Sequence, residues 1–372
     1  MKQPAPPALR FLDQAILDLE RRSLLRQRRP PAPEGELSFC SNDYLALASR
    51  PPPARPSGAG ASRLVTGERR DHLELERAAA ALVELPEALV FSSGYTANLG
   101  VLGALAGPDE LIVSDALNHA SIVDGARLSR AKTVVVPHLD LAAVKEALSA
   151  PRTGRALVVT ESYFSMDADA PDLHGLRQVC DDHGAALIVD EAHALGVLGP
   201  EGRGLCRKAG VTPDALMGTF GKSFGAGGAF VAGCPSLITW LWNRARSFVF
   251  STGLSPAVAA AAKAGIEASQ LEPERRTRVL AAAEELRSGL RDLGVEPRGF
   301  GPIVPWVVGD PAKAVFVAQA LREAGVDVAA IRPPSVPVAT ARLRFTVTAA
   351  HAPADVARAI QAFAQILRRE PG

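Results

Sequence analysis

The sequence predicts an α/β fold, with a mostly parallel sheet at the core of a large domain and a smaller α+β domain after it. Two observations support this prediction. Short apolar runs recur between residues 88 and 232, and several are nearly continuous in Val, Ile and Leu, as in strands covered on both faces. Segments with helical periodicity separate these runs, which is the pattern of βαβ units.

The elements follow in order along the chain. The runs that predict strands are 88–91, 111–114, 133–136, 156–160, 186–189, 215–217 and 229–232. Helices at 141–148 and 173–183 fill two of the connections. From residue 257 a stretch rich in Ala, Leu, Glu and Arg predicts long helices. The smaller α+β unit is predicted from strands at 304–308 and 342–347 and from a helix at 311–324.

The N-terminal segment predicts a helix over residues 11–29. Leu12, Ile16 and Leu19 recur at helical spacing, and Pro30 and Pro31 would end the helix. We therefore expect three parts: an N-terminal helix and arm (residues 1–45) packing on the small domain, a large domain (46–280) and a C-terminal small α+β domain (281–372).

Composition excludes several classes of protein. With 41 basic and 40 acidic side chains the net charge is +1, so no global field attracts nucleic acid or a membrane. No apolar run approaches the length of a membrane span and the N-terminus lacks the apolar core of a signal peptide, so we expect a cytoplasmic protein. The cysteines, at positions 40, 180, 206 and 234, are far apart, so we expect neither disulfides nor a metal site.

Polar residues cluster directly after five of the predicted strands. The clusters are Ser92-Ser93-Gly94-Tyr95, Ser114-Asp115 with Asn118-His119, Thr160-Glu161 with Ser165, Asp190-Glu191-Ala192-His193, and Thr219 with Lys222. Open α/β sheets place their sites at the carboxyl ends of strands. The pattern therefore predicts one shared site.

Lys222 and Asp190 indicate the chemistry of that site. Lys222 stands among small residues after an apolar run, and a desolvated lysine can act as a nucleophile. Asp190 ends a strand that should be central, where a carboxylate needs a partner. That partner is either a helix cap or salt bridge, or a protonated ring nitrogen of a bound cofactor.

Other residues extend this interpretation, although each has a structural alternative. The glycine turn at Gly94 suits a phosphate, but an ordinary strand-to-helix turn explains it equally well. His119 is suited to stacking on a cofactor ring or to a structural role. Together the clusters predict a pyridoxal phosphate (PLP) site with a Schiff base on Lys222, Asp190 at the pyridine nitrogen and His193 at the ring hydroxyl.

The rival interpretation is a nucleotide-binding ATPase, because an Asp-Glu-Ala-His segment precedes Gly221-Lys222-Ser223. A phosphate loop needs a glycine five residues before that Gly-Lys pair, and the position holds Leu216. The lysine also follows the acidic motif instead of preceding it, and the basic excess of a nucleic-acid-binding protein is missing.

Segments along nearly the whole chain carry a family resemblance. They are Phe39-Cys40-Ser41-Asn42-Asp43-Tyr44-Leu45, Gly60-Ala61-Ser62-Arg63, Ser93-Gly94-Tyr95-Thr96-Ala97-Asn98, Asn118-His119-Ala120-Ser121, Glu161-Ser162-Tyr163-Phe164-Ser165-Met166-Asp167, Val189-Asp190-Glu191-Ala192-His193, Thr219-Phe220-Gly221-Lys222 and Phe250-Ser251-Thr252. The chain resembles the α-oxoamine synthases, a branch of the fold-type-I PLP enzymes. This resemblance implies a seven-stranded, mostly parallel sheet in the large domain and PLP as the cofactor.

The resemblance also implies roles for individual residues. Lys222 would be the Schiff-base lysine and proton shuttle, Asp190 would pair with the pyridinium nitrogen, and His119 would stack on the ring and face the substrate. The other implied cofactor contacts are His193 and Ser165 at the ring hydroxyl, Gly94, Tyr95 and Thr219 at the phosphate, and Ser251 and Thr252 reaching the phosphate from a second subunit. These last two contacts imply a homodimer with shared sites.

The tail of the chain carries the implied choice of substrate. The segment Ile331-Arg332-Pro333-Pro334-Ser335-Val336-Pro337 implies a decarboxylative condensation of L-alanine with a pimeloyl thioester of coenzyme A or acyl carrier protein. Arg332 would hold the α-carboxylate, with Arg26, Ser335 and Asn42 on the substrate side. Alternatives within the family are glycine-using condensations, those of 2-amino-3-ketobutyrate CoA ligase and 5-aminolevulinate synthase.

Overall fold

Two compact units make up the part of the chain that the computed structural model describes, residues 7–26 and 37–368. The larger unit consists of Asn42–Leu280 together with Thr348–Ala350. The smaller unit consists of the described residues up to Ser41, Ala281–Val347 and the described residues from His351 onward. Among the helices of these residues, none is long and apolar enough to cross a membrane.

The secondary structure alternates between strands and helices through most of the chain. The strands are β1 (Leu37–Ser38), β2 (Glu87–Phe91), β3 (Leu111–Asp115), β4 (Lys132–Val136), β5 (Ala156–Glu161), β6 (Ala185–Asp190), β7 (Ala215–Thr219), β8 (Ala229–Gly233), β9 (Ile303–Gly309), β10 (Val326–Asp327), β11 (Ala329–Ile331) and β12 (Ala341–Thr346). The α-helices are α1 (Phe11–Arg21), α2 (Arg70–Val83), α3 (Gly94–Leu105), α4 (Ala120–Ser129), α5 (Leu141–Ser149), α6 (Leu173–Asp182), α7 (Leu205–Ala209), α8 (Pro235–Arg244), α9 (Arg246–Val249), α10 (Pro256–Leu271), α11 (Glu274–Asp292), α12 (Pro311–Glu323) and α13 (Pro353–Leu367).

The sheet of the larger unit has seven strands in the order β2-β8-β7-β6-β5-β3-β4. Every neighbouring pair is parallel except the two that include β8, which runs antiparallel to β2 and β7. The reversal follows from the connection, because β8 follows β7 through a short loop and a parallel strand needs a longer crossover. The predicted α/β class and mostly parallel sheet are confirmed, and each predicted run lies within one strand.

Helices on both faces of this sheet bury its central strands. Every residue of β3, β5 and β7 is buried, which explains their continuous apolar runs. Ile112, Leu157 and Ile188, one from each of three adjacent strands, share a core cluster with Val101 of α3. The edge strand β4 is largely exposed instead. The buried strands form a rigid support for the loops at their carboxyl ends.

The smaller unit contains an antiparallel sheet in the order β11-β12-β9 and a parallel pair of β1 with β10. Strands β9 and β12 and helix α12 lie where the sequence predicts them. Strands β1, β10 and β11 have two or three residues each, too few for a periodic pattern to form.

The N-terminal helix is shorter than predicted. α1 ends at Arg21, whereas the prediction runs to residue 29, of which residues 27–29 lie outside the described residues. Ser23 has a left-handed φ of 55°, a conformation that cannot continue a right-handed helix. The N–H groups of Leu24 and Leu25 both bond back to the oxygen of Leu19, at 2.8 and 3.1 Å, and close the helix end. All side chains of α1 are exposed.

Candidate active site

A cavity opens at the sheet edge where β2, β3, β5, β6 and β7 end. It brings together seven of the predicted site residues: Gly94, Tyr95, His119, Asp190, His193, Thr219 and Lys222. Its other lining residues are Asn98, Ser121, Glu161, Ala192 and Met217. The polar clusters that the sequence places after five strands therefore meet in one cavity.

Asp190 lies at the end of the central strand β6, with 6% of its surface exposed. Its Oδ2 accepts a hydrogen bond from Asn98 Nδ2 at 2.9 Å, and its Oδ1 accepts one from the main-chain N–H of Ala192 at 2.9 Å. Asn98 also donates to Ser121 Oγ at 2.9 Å. Because both carboxylate oxygens accept hydrogen bonds, the orientation of the Asp190 carboxylate is fixed.

Lys222 extends from a firmly held loop that follows β7. Phe220 and Phe224, on either side of it, are almost completely buried. The hydroxyl of Ser223 donates to the main-chain oxygen of Leu195 at 2.6 Å. Lys222 itself is only half-buried and lines the cavity. The main chain is therefore anchored while the amine faces the cavity.

The loop around Lys222 differs from a phosphate-binding loop. All residues from Thr219 to Ala229 are described, and none of them is helical, whereas the lysine of a phosphate loop precedes a helix. Gly225 in this loop has a φ of +62°, and a Cβ there would lie 2.4 Å from the nitrogen of Ala48. The loop connects two antiparallel strands and leads into no helix, which argues against the ATPase interpretation.

His119 forms one wall of the cavity and caps α4. Its Nδ1 accepts a hydrogen bond from the N–H of Ser121 at 3.2 Å and lies 2.7 Å from the hydroxyl of the same residue. Its own N–H donates to Glu161 Oε1 at 2.7 Å. The ring of Tyr95 meets the imidazole edge-on, with ring centroids 6.4 Å apart. These contacts fix the plane of the imidazole.

Charge and burial act on the imidazole of His119 together. Burial lowers its pKa; the negative charge of Asp190 raises it and the positive charge of Lys222 lowers it. The net effect lowers the pKa of His119 below its ordinary value of 6.5, so the ring is neutral at neutral pH.

The N-terminus of α3 faces the same cavity. Ser93 caps the helix by accepting a hydrogen bond from the N–H of Thr96 at 3.2 Å. A Cβ built on Gly94 would lie 3.8 Å from the Met217 side chain and 4.0 Å from Thr219 Cβ, so this helix end lies beside the end of β7. Free N–H groups and the positive end of the helix dipole make this position suitable for a phosphate.

His193 is held by a residue to which the sequence assigned no role. The hydroxyl of Tyr44 lies 2.7 Å from His193 Nδ1 in a buried contact, and 3.4 Å from Asn42 Oδ1. Asn42 is therefore linked to the cavity wall through Tyr44. Tyr44 lies in the segment 39–45 that carries part of the family resemblance. Its contact with His193 could be seen only in the structure.

A second missed residue, His138, connects two loops of the site. Its Nδ1 lies 2.9 Å from Asp115 Oδ1 and its Nε2 lies 3.1 Å from Asp169 Oδ2. Burial opposes a charge on His138, but the two carboxylates outweigh burial and raise its pKa to about 10. Asp115 begins the loop that carries His119, and Asp169 follows Ser165. The protonated His138 therefore links the two loops through its contacts with Asp115 and Asp169.

Replacing His138 with glutamine should destabilise the protein by about 3 kcal/mol at pH 6.5, because it leaves two carboxylates without their cation. The folded-state pKa is raised from 6.5 to about 10, so this stabilisation is complete below pH 6.5 and lost as the pH rises through 10. Urea unfolding at pH 6.5 and at pH 10 measures the difference. The exposed His174→Gln variant is the control. An equal loss of stability at both pH values would contradict a protonated His138 that links the two loops.

The remaining predicted site residues lie outside the cavity. Ser165 is buried in the loop after β5, and Ser251 and Thr252 lie between α9 and α10. In the smaller unit, Arg26 Nη2 donates to Ser335 Oγ at 3.0 Å. Arg332 Nη1 donates to the main-chain oxygen of Ser23 at 2.6 Å. The three substrate-side residues of that unit are therefore close together.

The chemistry of the cavity matches PLP. A carboxylate with a fixed orientation suits a protonated pyridine nitrogen, a helix N-terminus suits a phosphate, and the amine of Lys222 suits an aldehyde. Within the described residues, no group of three or more His, Cys, Asp or Glu side chains is arranged to hold a metal ion. Fold and cavity together define a transferase-like α/β protein whose site lies at the carboxyl end of its sheet.

Comparison with known proteins assigns the family. The family model of aminotransferase class I and II matches residues 34–363. An 8-amino-7-oxononanoate synthase of Anaeromyxobacter dehalogenans is 48% identical over 343 residues, which cover 89% of this chain and 86% of the relative. Another, from strain 2CP-C of that species, is 46% identical over 97% of this chain and 96% of its own. The chain belongs to the aminotransferase class I and II family and, within it, to the 8-amino-7-oxononanoate synthases.

Solved structures agree on the fold. The serine palmitoyltransferase of S. paucimobilis, solved with a bound PLP-myriocin aldimine, superposes with a TM-score of 0.89 at 29% identity. The match covers 97% of this chain and 98% of the other.

Proposed function

We propose that this chain condenses L-alanine with a pimeloyl thioester to give 8-amino-7-oxononanoate, carbon dioxide and the free thiol carrier, a step of biotin biosynthesis. The observation that carries the proposal is the cavity that brings Lys222 and buried Asp190 together, in a chain 48% identical to a protein of that name. We place the protein in the cytoplasm. Its substrates are L-alanine and a pimeloyl thioester of coenzyme A or of acyl carrier protein, and we propose neither nucleic acid nor a membrane as a partner.

PLP, bound through Lys222, supplies an electron sink for the pair left when a bond to the α-carbon breaks. Asp190 keeps the proton on the pyridine nitrogen, so that the ring can accept that pair. The α3 N-terminus at Gly94 and Tyr95, together with Thr219, binds the phosphate. His119 stacks on the ring, and His193, oriented by Tyr44, contacts the ring hydroxyl together with Ser165.

Lys222 has the second task of moving protons. With alanine bound in the site, the Lys222 amine would remove the α-proton. The α-carbon then bonds to the thioester carbonyl carbon, and the carbon–sulfur bond breaks to release the thiol. The bond between the α-carbon and the carboxylate carbon of alanine then breaks and releases carbon dioxide. Lys222 returns a proton to the α-carbon.

Substrate recognition is assigned to four residues. Arg332 would bind the α-carboxylate with its bidentate fork. Arg26 is an exposed cation beside Ser335 and suits the distal carboxylate of the pimeloyl chain. Asn42 lies next to Tyr44 and is proposed on the substrate side of the cavity.

The functional form is proposed to be a homodimer in which Ser251 and Thr252 reach the partner's phosphate site. Neither residue lines the cavity of its own chain. Phe250, directly before them, is 73% exposed, and α1 also exposes apolar side chains such as Phe11 and Ile16. Apolar side chains grouped on one surface mark sites of protein contact, and α1 groups Phe11, Leu12 and Ile16 in this way.

Shared sites predict that two defective variants restore activity when mixed. Lys222→Ala removes the amine from a subunit's own site. A Ser251→Ala/Thr252→Ala double variant removes the phosphate contacts that this second subunit would supply to its partner's site. Their mixed dimer contains one doubly defective site and one intact site, so a refolded equimolar mixture should recover about one quarter of wild-type activity. Remixed single variants are the controls, and no recovery despite mixed-dimer formation would contradict shared sites.

Amino-acid titration of the PLP-loaded protein tests the proposal directly. The protein should be yellow, and L-alanine should change its visible spectrum at lower concentration than glycine or serine. Serine deserves comparison because a serine palmitoyltransferase is structurally similar, with a TM-score of 0.89. A response to glycine alone would favour a glycine-using synthase such as 2-amino-3-ketobutyrate CoA ligase or 5-aminolevulinate synthase. Failure to bind PLP would refute the proposal.

A further inference from the structure

The cavity contains a carboxyl group that the proposed chemistry does not use. Glu161 is the last residue of β5, lines the cavity with Lys222, and has 4% of its surface exposed. Its register partner on the adjacent parallel strand is Asp190. Two carboxyl groups therefore lie at neighbouring strand ends in one buried site.

The hydrogen bonds of these two groups differ. Asp190 accepts one hydrogen bond on each oxygen, from Asn98 and Ala192. Glu161 Oε1 accepts from the main-chain N–H of His119 at 2.7 Å. Two neighbouring carboxyl groups in a buried site resist ionising together, and the better hydrogen-bonded one keeps the charge. This difference in hydrogen bonding favours a proton on Glu161.

Burial and the surrounding charges together also favour a proton on Glu161. Burial raises the pKa of Glu161 most, the negative charges of Asp190 and Asp115 raise it further, and the net value is about 8. The positive charge of Lys222 and the hydrogen bond from His119 oppose it. A carboxyl group in this environment is mostly protonated at neutral pH.

We infer that Glu161 is a neutral carboxylic acid in the working enzyme and a positioning residue for His119. One oxygen accepts the His119 N–H and holds the wall of the cavity, while the carboxyl proton keeps a second negative charge away from Asp190. Asp190 is then the charged member of the pair that faces the pyridine nitrogen. This inference rests on the proposed function for its effect on catalysis.

Glu161→Gln tests the protonation of residue 161 separately from its hydrogen bond. The amide keeps a carbonyl oxygen to accept the His119 N–H, but it cannot ionise. We expect kcat/KM at pH 7 to fall by less than about threefold, since the working form is neutral in both proteins. Wild-type activity should decline as Glu161 ionises near pH 8, and the glutamine variant should lack that decline. Glu161→Ala, which removes the acceptor for His119, should lose about tenfold or more at every pH.

The protonation state is measured independently of activity by infrared spectroscopy. The wild-type minus Glu161→Gln difference spectrum of the PLP-loaded protein should show the carbonyl band of a protonated carboxyl at pH 6.5. The band should disappear as the pH is raised past about 8, where Glu161 ionises. Glu146→Gln, an exposed glutamate in the same unit, should leave the band and the pH profile as in wild type.

The outcomes distinguish this inference from the proposed function. If the carboxyl band is missing at pH 6.5, or if Glu161→Gln is inactive while it still binds PLP and responds to L-alanine, the neutral acid is wrong and the proposed function stands. If the wild-type protein forms no product, the proposed function fails, and the infrared band alone decides whether Glu161 is neutral.

Discussion

Replacing Lys222 with alanine should lower the rate of condensation by at least about 10³-fold, because the variant loses both the covalent anchor of the cofactor and the base that takes the α-proton. The fold should be unaffected. Phe220, Phe224 and the Ser223 hydrogen bond anchor the loop without the amine. Product formation at saturating PLP and L-alanine measures the loss, and thermal melting verifies the fold.

The position of the covalent bond is checked by reducing the PLP-loaded wild-type protein with borohydride and mapping the modified peptide. The adduct should lie on Lys222. Lys208→Ala, which changes an exposed lysine of the same unit, should keep both the adduct and the activity. An adduct on another lysine, or full activity in Lys222→Ala, would contradict the assignment.

Replacing Asp190 with asparagine should lower kcat by about 10² to 10³-fold, a size typical of losing one preorganised electrostatic contact. The amide has nearly the same shape, but it cannot keep a proton on the pyridine nitrogen. The visible spectrum of the bound cofactor should shift as well, because the ring loses its positive charge. Stability should fall by about 1 to 3 kcal/mol, since the new NH₂ group faces a donor, either Asn98 or the N–H of Ala192.

Steady-state kinetics and absorbance spectra of Asp190→Asn measure these effects together. Asp109→Asn, at an exposed position before β3, is the matched control and should behave as wild type. A variant that keeps its catalytic rate and an unchanged spectrum would show that the Asp190 carboxylate does not face the cofactor nitrogen.

The larger unit was predictable because its strands are long, apolar and covered on both faces. The run at 186–189 lies in β6, which is buried along nearly its whole length. The order of the strands was not predictable, because it depends on pairings between residues far apart in sequence, such as Phe91 of β2 with Ala229 of β8. The extent of α1 was overestimated, because the left-handed conformation of Ser23 leaves no mark on the helical pattern.

The members of the site were predictable, but their supporting contacts were not. Strand ends reveal that Asp190 and Lys222 share an edge of the sheet. Tyr44 reaches His193 across 149 positions of sequence, and His138 reaches Asp115 and Asp169 across 23 and 31. Such pairs follow from three-dimensional packing. Glu161 was visible in the sequence as a polar residue at a strand end. Its burial, from which we infer its protonated state, could be seen only in the structure.

The central claim is that this cavity joins L-alanine to a pimeloyl thioester. Its most direct test is a product assay by mass spectrometry with the purified PLP-loaded protein, offered alanine, glycine and serine in turn with acyl thioesters of different chain lengths. We predict that alanine with the pimeloyl thioester gives the highest kcat/KM, with one aminoketone formed for each thiol released. Preferred use of glycine or serine, or thiol release without aminoketone, would contradict the account.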